Sequence, residues 1–188
     1  RAIRPILKIA QPAAINKGVY YAIVENQTDE IHFYSADFDE HFSTSIHDVK
    51  RNDGWRNYVL SVVNEFLLLG KNIRGFNCVF GGDIPRGSGM SSSAAVEGGL
   101  AFALNELFNL GINRVELALL CQRAEHNFPN VKCGIMDQLI KFGSVKRGLL
   151  GVNIAPVTPD IAQALGLPAA GGALVGFASH DIGAKGRE

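Results

Sequence analysis

The spacing of apolar and polar positions changes several times along the chain, and each change marks an element. Residues 17–25 and 30–37 are dense in Val, Ile, Tyr and Phe, with turn-forming residues 26–29 between them, so the pattern predicts two antiparallel strands. From 53 to 69 the spacing lengthens: Trp55, Tyr58, Val59, Val62, Val63 and Phe66 recur at helical intervals, and Gly70 follows as a stop. This stripe predicts a helix with Trp55, Tyr58 and Phe66 in the core. Residues 75–81 read as a short apolar strand running into a Gly- and Ser-rich turn. A long helical pattern then extends from 92 to about 110, with Val96, Leu100, Ala103, Leu104, Leu107 and Phe108 on one broad face. Gly111 ends it, and Asn113 with Glu116 has the spacing of a capping box for a further helix reaching about His126. Those two helices should pack together.

Charge narrows the range of partners. The 18 basic and 18 acidic side chains cancel, which leaves no basic footprint for nucleic acid and no acidic tail. Any phosphate ligand must therefore be held by local geometry. No apolar run approaches the length of a bilayer span, and the first residues lack the order of a secretion signal, so the expected location is cytoplasmic. Cys78, Cys121 and Cys133 are odd in number and lack C-x-x-C spacing, which argues against a disulfide framework or a zinc site. Each is expected to be a buried thiol. The length suits one well-buried domain or two small ones.

The stretch 81–95, G-G-D-I-P-R-G-S-G-M-S-S-S-A-A, is the most informative. Gly87 and Gly89 leave backbone N–H groups open to a close-approaching ligand, and Ser91, Ser92 and Ser93 add hydroxyls where a helix begins. A helix start carries unpaired N–H groups and partial positive charge, so this turn suits a di- or triphosphate, and serine hydroxyls can ligate an accompanying Mg²⁺. The spacing alone equally allows a tight turn with capping serines. A second string, A-E-H-N-F-P-N-V-K-C-G-I-M-D-Q over 124–138, places Asp137 where a carboxylate can either cap a helix or orient a hydroxyl and accept its proton.

Both strings closely resemble signatures of the GHMP kinases, the superfamily of galactokinase, homoserine kinase and mevalonate kinase. The first is similar to the galactokinase form P-x-G-x-G-L-S-S-S-A-A, with Met90 in place of Leu, and the second to A-E-H-x-x-x-x-x-x-C-G-I-M-D-Q. Residues 12–23, 33–38 and the W-x-N-Y-V string at Trp55 are also similar to galactokinases. The resemblance implies an α/β two-layer domain like ribosomal protein S5 domain 2, with helices against one mixed sheet. It implies ATP phosphates on Pro85, Gly87, Ser88, Gly89, Met90 and Ser91 to Ser93, Mg²⁺ on Ser93 and Glu125, and a sugar beside Cys133, Gly134 and the catalytic Asp137. His126 reads as a hydrogen-bonded structural histidine.

The resemblance covers about 12–144. The family's opening G-R-V-N-L-I-G-E-H-T-D-Y, which supplies an Arg and sugar-holding side chains, is absent, and residues 1–11 carry no comparable motif. Its third, glycine-rich motif is not recognisable in 145–188, where Pro156 to Asp160 read as a turn and helix start, 162–167 as a short helix and 172–178 as a strand. The expectation is one GHMP-kinase N-terminal-like domain over 1–188, with 145–188 unassigned and the chain a fragment, partial or altered form. The implied function is transfer of the ATP γ-phosphoryl group to the C1 hydroxyl of galactose. The alternatives are an N-acetylgalactosamine or other sugar kinase, and a galactose- and ATP-binding regulator without turnover.

Overall fold

The computed structural model describes residues 17–84, 91–131 and 133–135, and the backbone of 150–156 and 173–179. Six strands form one mixed sheet: β1 (Gly18–Glu25), β2 (Glu30–Ser35), β3 (Glu40–Ser45), β4 (Phe76–Gly82), β5 (Leu150–Pro156) and β6 (Ala173–Ser179), in the order β3-β2-β4-β1-β6-β5. Among the described strands, only the β2–β4 pair is parallel. Three α-helices, α1 (Arg56–Leu68), α2 (Ser92–Leu107) and α3 (Arg114–Asn127), and a short 3-10 helix at Ile46–Asp48 complete the described structure.

The two early strands run antiparallel, as their turn suggested, but they are not neighbours. Strand β4 lies between them, antiparallel to β1 and parallel to β2. The turn residues are used otherwise: the Asn26 amide N–H donates to the Gly75 carbonyl, and Gly75 N–H donates to Thr28. Two strands were not foreseen. Sequence Glu40–Ser45 contributes only Phe42 as a large apolar residue because β3 is an edge strand, exposed on alternate positions. Strand β5 does alternate Leu150, Val152 and Ile154, and it pairs with β6 to extend the sheet beyond β1. The turn and helix expected between them lie outside the described residues.

One face of the sheet is apolar and carries the helices. Val19, Tyr21 and Ile23 of β1, Ile31 and Phe33 of β2, and Phe76, Cys78 and Phe80 of β4 join a single core with residues of all three helices. The intervening Tyr20 and His32 are exposed, as the two-residue period of a strand requires. Helix α1 buries Val59, Val62, Val63 and Phe66, and the chain leaves it through Gly70 at φ 65°, with Gly70 N–H on Leu67 and Lys71 N–H on Phe66.

Helix α2 is more central than its pattern of one apolar face suggested. It contacts β1, β6, α1 and α3, and residues from Ala94 to Asn105 are buried almost all round, whereas Val96 is half-buried. Gly99 explains how it comes so close: a Cβ there would collide with the ring of Tyr21. Helix α3 begins with the expected capping box, Asn113 accepting from Val115 and Glu116 N–H while Glu116 reaches back to Asn113 N–H. Cys78 and Cys121 are buried as expected, but Cys133 is only half-buried because it sits in the loop after α3.

Candidate functional site

The exit from β4 is fixed on both sides. The Asp83 carboxylate accepts Gly18 N–H at 2.8 Å and Lys17 Nζ at 3.1 Å, while Asp83 N–H donates to the Gly18 carbonyl. These bonds hold the Asp83 carboxyl below its usual range, the Gly18 amide contributing most. Across the strand, Gly82 N–H donates to Asp37 Oδ1 at 3.1 Å, tying the β2–β3 turn to the same point. Pro85, Gly87, Ser88, Gly89 and Met90 lie outside the described residues, as do Met136, Asp137 and Gln138.

The chain re-enters the described structure at the start of α2. Ser91 is the N-cap residue with φ 54° and ψ 45°, a left-handed conformation uncommon outside glycine, and its side chain makes no capping bond. Capping is therefore not the use of this serine. Ser93 does not cap either: its hydroxyl donates to Glu125 Oε1 at 2.7 Å. Glu125 is 3% exposed and sits on α3, which is braced against α1 on either side of it. Glu65 of α1 accepts from Arg123 Nε at 2.9 Å and from Asn127 Nδ2 at 2.8 Å. The pair thus joins the first turn of α2 to the last turns of α3. Its hydroxyl and carboxylate oxygens are the hard donors that Mg²⁺ takes, beside a helix start able to hold an anion.

Next to this pair is a cavity of about 170 Å³. Trp55, Tyr58, Phe38 and Phe80 wall it with Val19, Ile84 and Val96, and Asp37, Ser92 and Ser93 supply polar side chains. Trp55 is held in place by its indole N–H, which donates to Glu40 Oε2 at 2.8 Å, and its ring faces Phe38 at 6.3 Å between centroids and 22° between planes. Here the expected all-core stripe needs correction. Phe66 is fully buried and Trp55 belongs to the core, but Tyr58 is half-buried and both Trp55 and Tyr58 face the cavity. Asp37 and Phe38 were not foreseen as site residues, because only the sheet order brings their turn to the end of β4.

Glu97 lies one turn after Ser93 on α2 and is fully buried, with no hydrogen-bond partner for either oxygen among the described residues. Burial, followed by the nearby Glu125 charge, pushes its carboxyl up to about 10. The Tyr58 phenol is raised for the same reasons, burial first and then Glu125 and Glu97. His126 Nε2 donates to the Cys133 carbonyl at 3.0 Å, which agrees with the structural role read for it. Gly134 is exposed. Of the residues singled out from sequence, the structure thus brings together Ser92, Ser93 and Glu125.

Residues 57–143 match the family described as GHMP kinases N terminal domain. Within it the similarity runs to galactokinases. The galactokinase of Clostridium acetobutylicum is 42% identical over 132 residues, covering 68% of this chain and 34% of that protein. That of a Roseiflexus species is 38% identical over 159 residues, covering 80% and 41%. Among solved structures, Lactococcus lactis galactokinase complexed with galactose superimposes with a TM-score of 0.66 at 32% identity, over 69% of this chain and 35% of that one. Methanococcus jannaschii mevalonate kinase follows the same fold, with a TM-score of 0.56 at 25% identity over 63% and 39%. The chain spans about a third of the length of the first of these curated relatives. Among the described residues no helix is long and apolar enough to cross a membrane.

Proposed function

We propose that this chain is the nucleotide-binding part of a cytoplasmic galactokinase, which transfers the γ-phosphoryl group of ATP to the C1 hydroxyl of galactose. The observation that carries the reading is the Ser93–Glu125 bond at the start of α2, beside an apolar cavity of nucleobase size. The base enters the cavity against Trp55 and Tyr58. The phosphates lie on the loop of Pro85, Gly87, Ser88, Gly89 and Met90 and on Ser91 to Ser93, where backbone N–H groups and the helix start favour negative charge. Ser93 and Glu125 would hold Mg²⁺, which when bound neutralises charge on the phosphates.

Asp137 orients the sugar hydroxyl and accepts its proton, with Cys133 and Gly134 lining the sugar side. The similarity to galactokinases supports this assignment through the C-G-I-M-D-Q string. The test is phosphorylation of galactose by the full-length protein, with the product identified by phosphorus NMR. Asp137→Asn should keep ATP binding and lose nearly all turnover, because shape survives while the charge and proton acceptor are lost. Near-normal turnover would remove Asp137 from the mechanism, and phosphorylation of other sugars in preference to galactose would overturn the substrate.

A further inference from the structure

Resting on the reading that a nucleobase fills the cavity, we propose that Asp37 selects the base: it accepts a hydrogen bond from an exocyclic amine and disfavours bases that present a carbonyl at that edge. Among the described residues lining the cavity, Asp37 is the one carboxylate. Its Oδ1 accepts Gly82 N–H at 3.1 Å, and Gly82 closes the β1–β4 ladder opposite Val19. That backbone bond anchors the carboxylate at the cavity. The adjoining Phe38 supplies an aromatic wall beside Trp55, so one four-residue turn carries both a stacking surface and an acceptor.

The other polar side chains do not duplicate this role. Ser92 and Ser93 belong to the α2 start, where the phosphates are proposed to lie, and Ser93 already donates to Glu125. Tyr58 and the serines carry hydroxyls that both donate and accept, so they tolerate either an amine or a carbonyl. A carboxylate only accepts. An aminopurine satisfies it, whereas a 6-oxopurine sets two acceptors against each other and leaves both without a donor.

The experiment measures binding of ATP, of ITP, which has oxygen in place of the 6-amine, and of inorganic tripolyphosphate to the full-length protein by calorimetry. Wild-type protein should prefer ATP over ITP by roughly ten- to a hundredfold, the range of a hydrogen bond to a charged group. Asp37→Asn keeps an acceptor for Gly82 N–H, so the turn stays anchored, and its amide can also donate to the 6-oxygen. The ATP:ITP ratio should therefore fall to about one or below. A wild-type protein without preference, or an unchanged ratio in Asp37→Asn, overturns the role of Asp37 alone. Tripolyphosphate binding as tightly as ATP would instead show that the base contributes nothing, and the underlying cavity reading would fall with it.

Discussion

The Tyr21 phenol donates to the Val96 carbonyl at 2.7 Å, linking the middle of β1 to the second turn of α2. Burial keeps this phenol well above its ordinary range, so it stays protonated and remains a donor. The bond therefore sets the height of α2 above the sheet, and with it the position of Ser92 and Ser93. Tyr21→Phe should lower stability by about 0.5–1.5 kcal/mol in chemical denaturation and also weaken ATP binding. Lost stability with unaltered ATP affinity would mean that the helix start is located by other contacts.

Tyr58 and Phe66 lie two turns apart on α1 and should respond differently to truncation. Phe66 is wholly inside the core, so Phe66→Ala should cost about 3–5 kcal/mol in denaturant unfolding. Tyr58 faces the cavity and is half-buried. Tyr58→Ala should cost distinctly less stability and raise the ATP dissociation constant, whereas equal stability losses for the two would return Tyr58 to the core.

Glu97 makes stability depend on pH with a defined sign. Its carboxyl is neutral up to about 10 in the folded protein and ionises near its ordinary value when unfolded. Folding therefore retains a proton that the unfolded chain releases, and the stability present at acid pH is lost progressively as pH rises through that window. Glu97→Gln removes the titration while keeping the shape. Its melting temperature relative to wild type should climb steadily between pH 5 and 8, by the equivalent of at least about 1 kcal/mol. A gap that does not change with pH would show that Glu97 is not buried as a neutral acid.

Burial also sorts the thiols. Cys78 and Cys121 are raised well above their ordinary range, by burial chiefly, so each lacks the thiolate that alkylation requires. Cys133 is half-buried in the loop after α3. Iodoacetamide at pH 8 should label Cys133 at least about tenfold faster than the other two, read by peptide mass spectrometry. Comparable labelling of Cys78 would reveal opening of the sheet around β4.

Local chemistry was legible in the sequence where its partners lie close along the chain. The capping box of Asn113 and Glu116 spans three residues and forms as read. The α1 stripe and the Gly70 stop follow from spacing and backbone freedom alone. What spacing could not supply is the sheet order, since nothing in residues 17–37 announces that β4 will come between the first two strands. The same limit hid Asp37 and Phe38, which face Gly82 and Trp55 only because that order brings the β2–β3 turn to the end of β4. Edge strand β3 escaped because water on alternate positions relaxes the demand for apolar residues.

The central place of β4 has a consequence for synthesis on the ribosome. A nascent chain that has emerged only as far as α1 holds β1 and β2 but not the strand that must lie between them, so no local hairpin can lock the first two in register. Two exposed edges wait for residues 76–82, and the closing contacts are long in sequence, a topology that folds slowly and leaves open strands vulnerable to pairing with other chains. The Gly- and Ser-rich loop follows directly after β4. The proposed anion site thus follows directly on the event that joins β1 to β2 through β4, and slowing translation just beyond the loop should raise the yield of native protein.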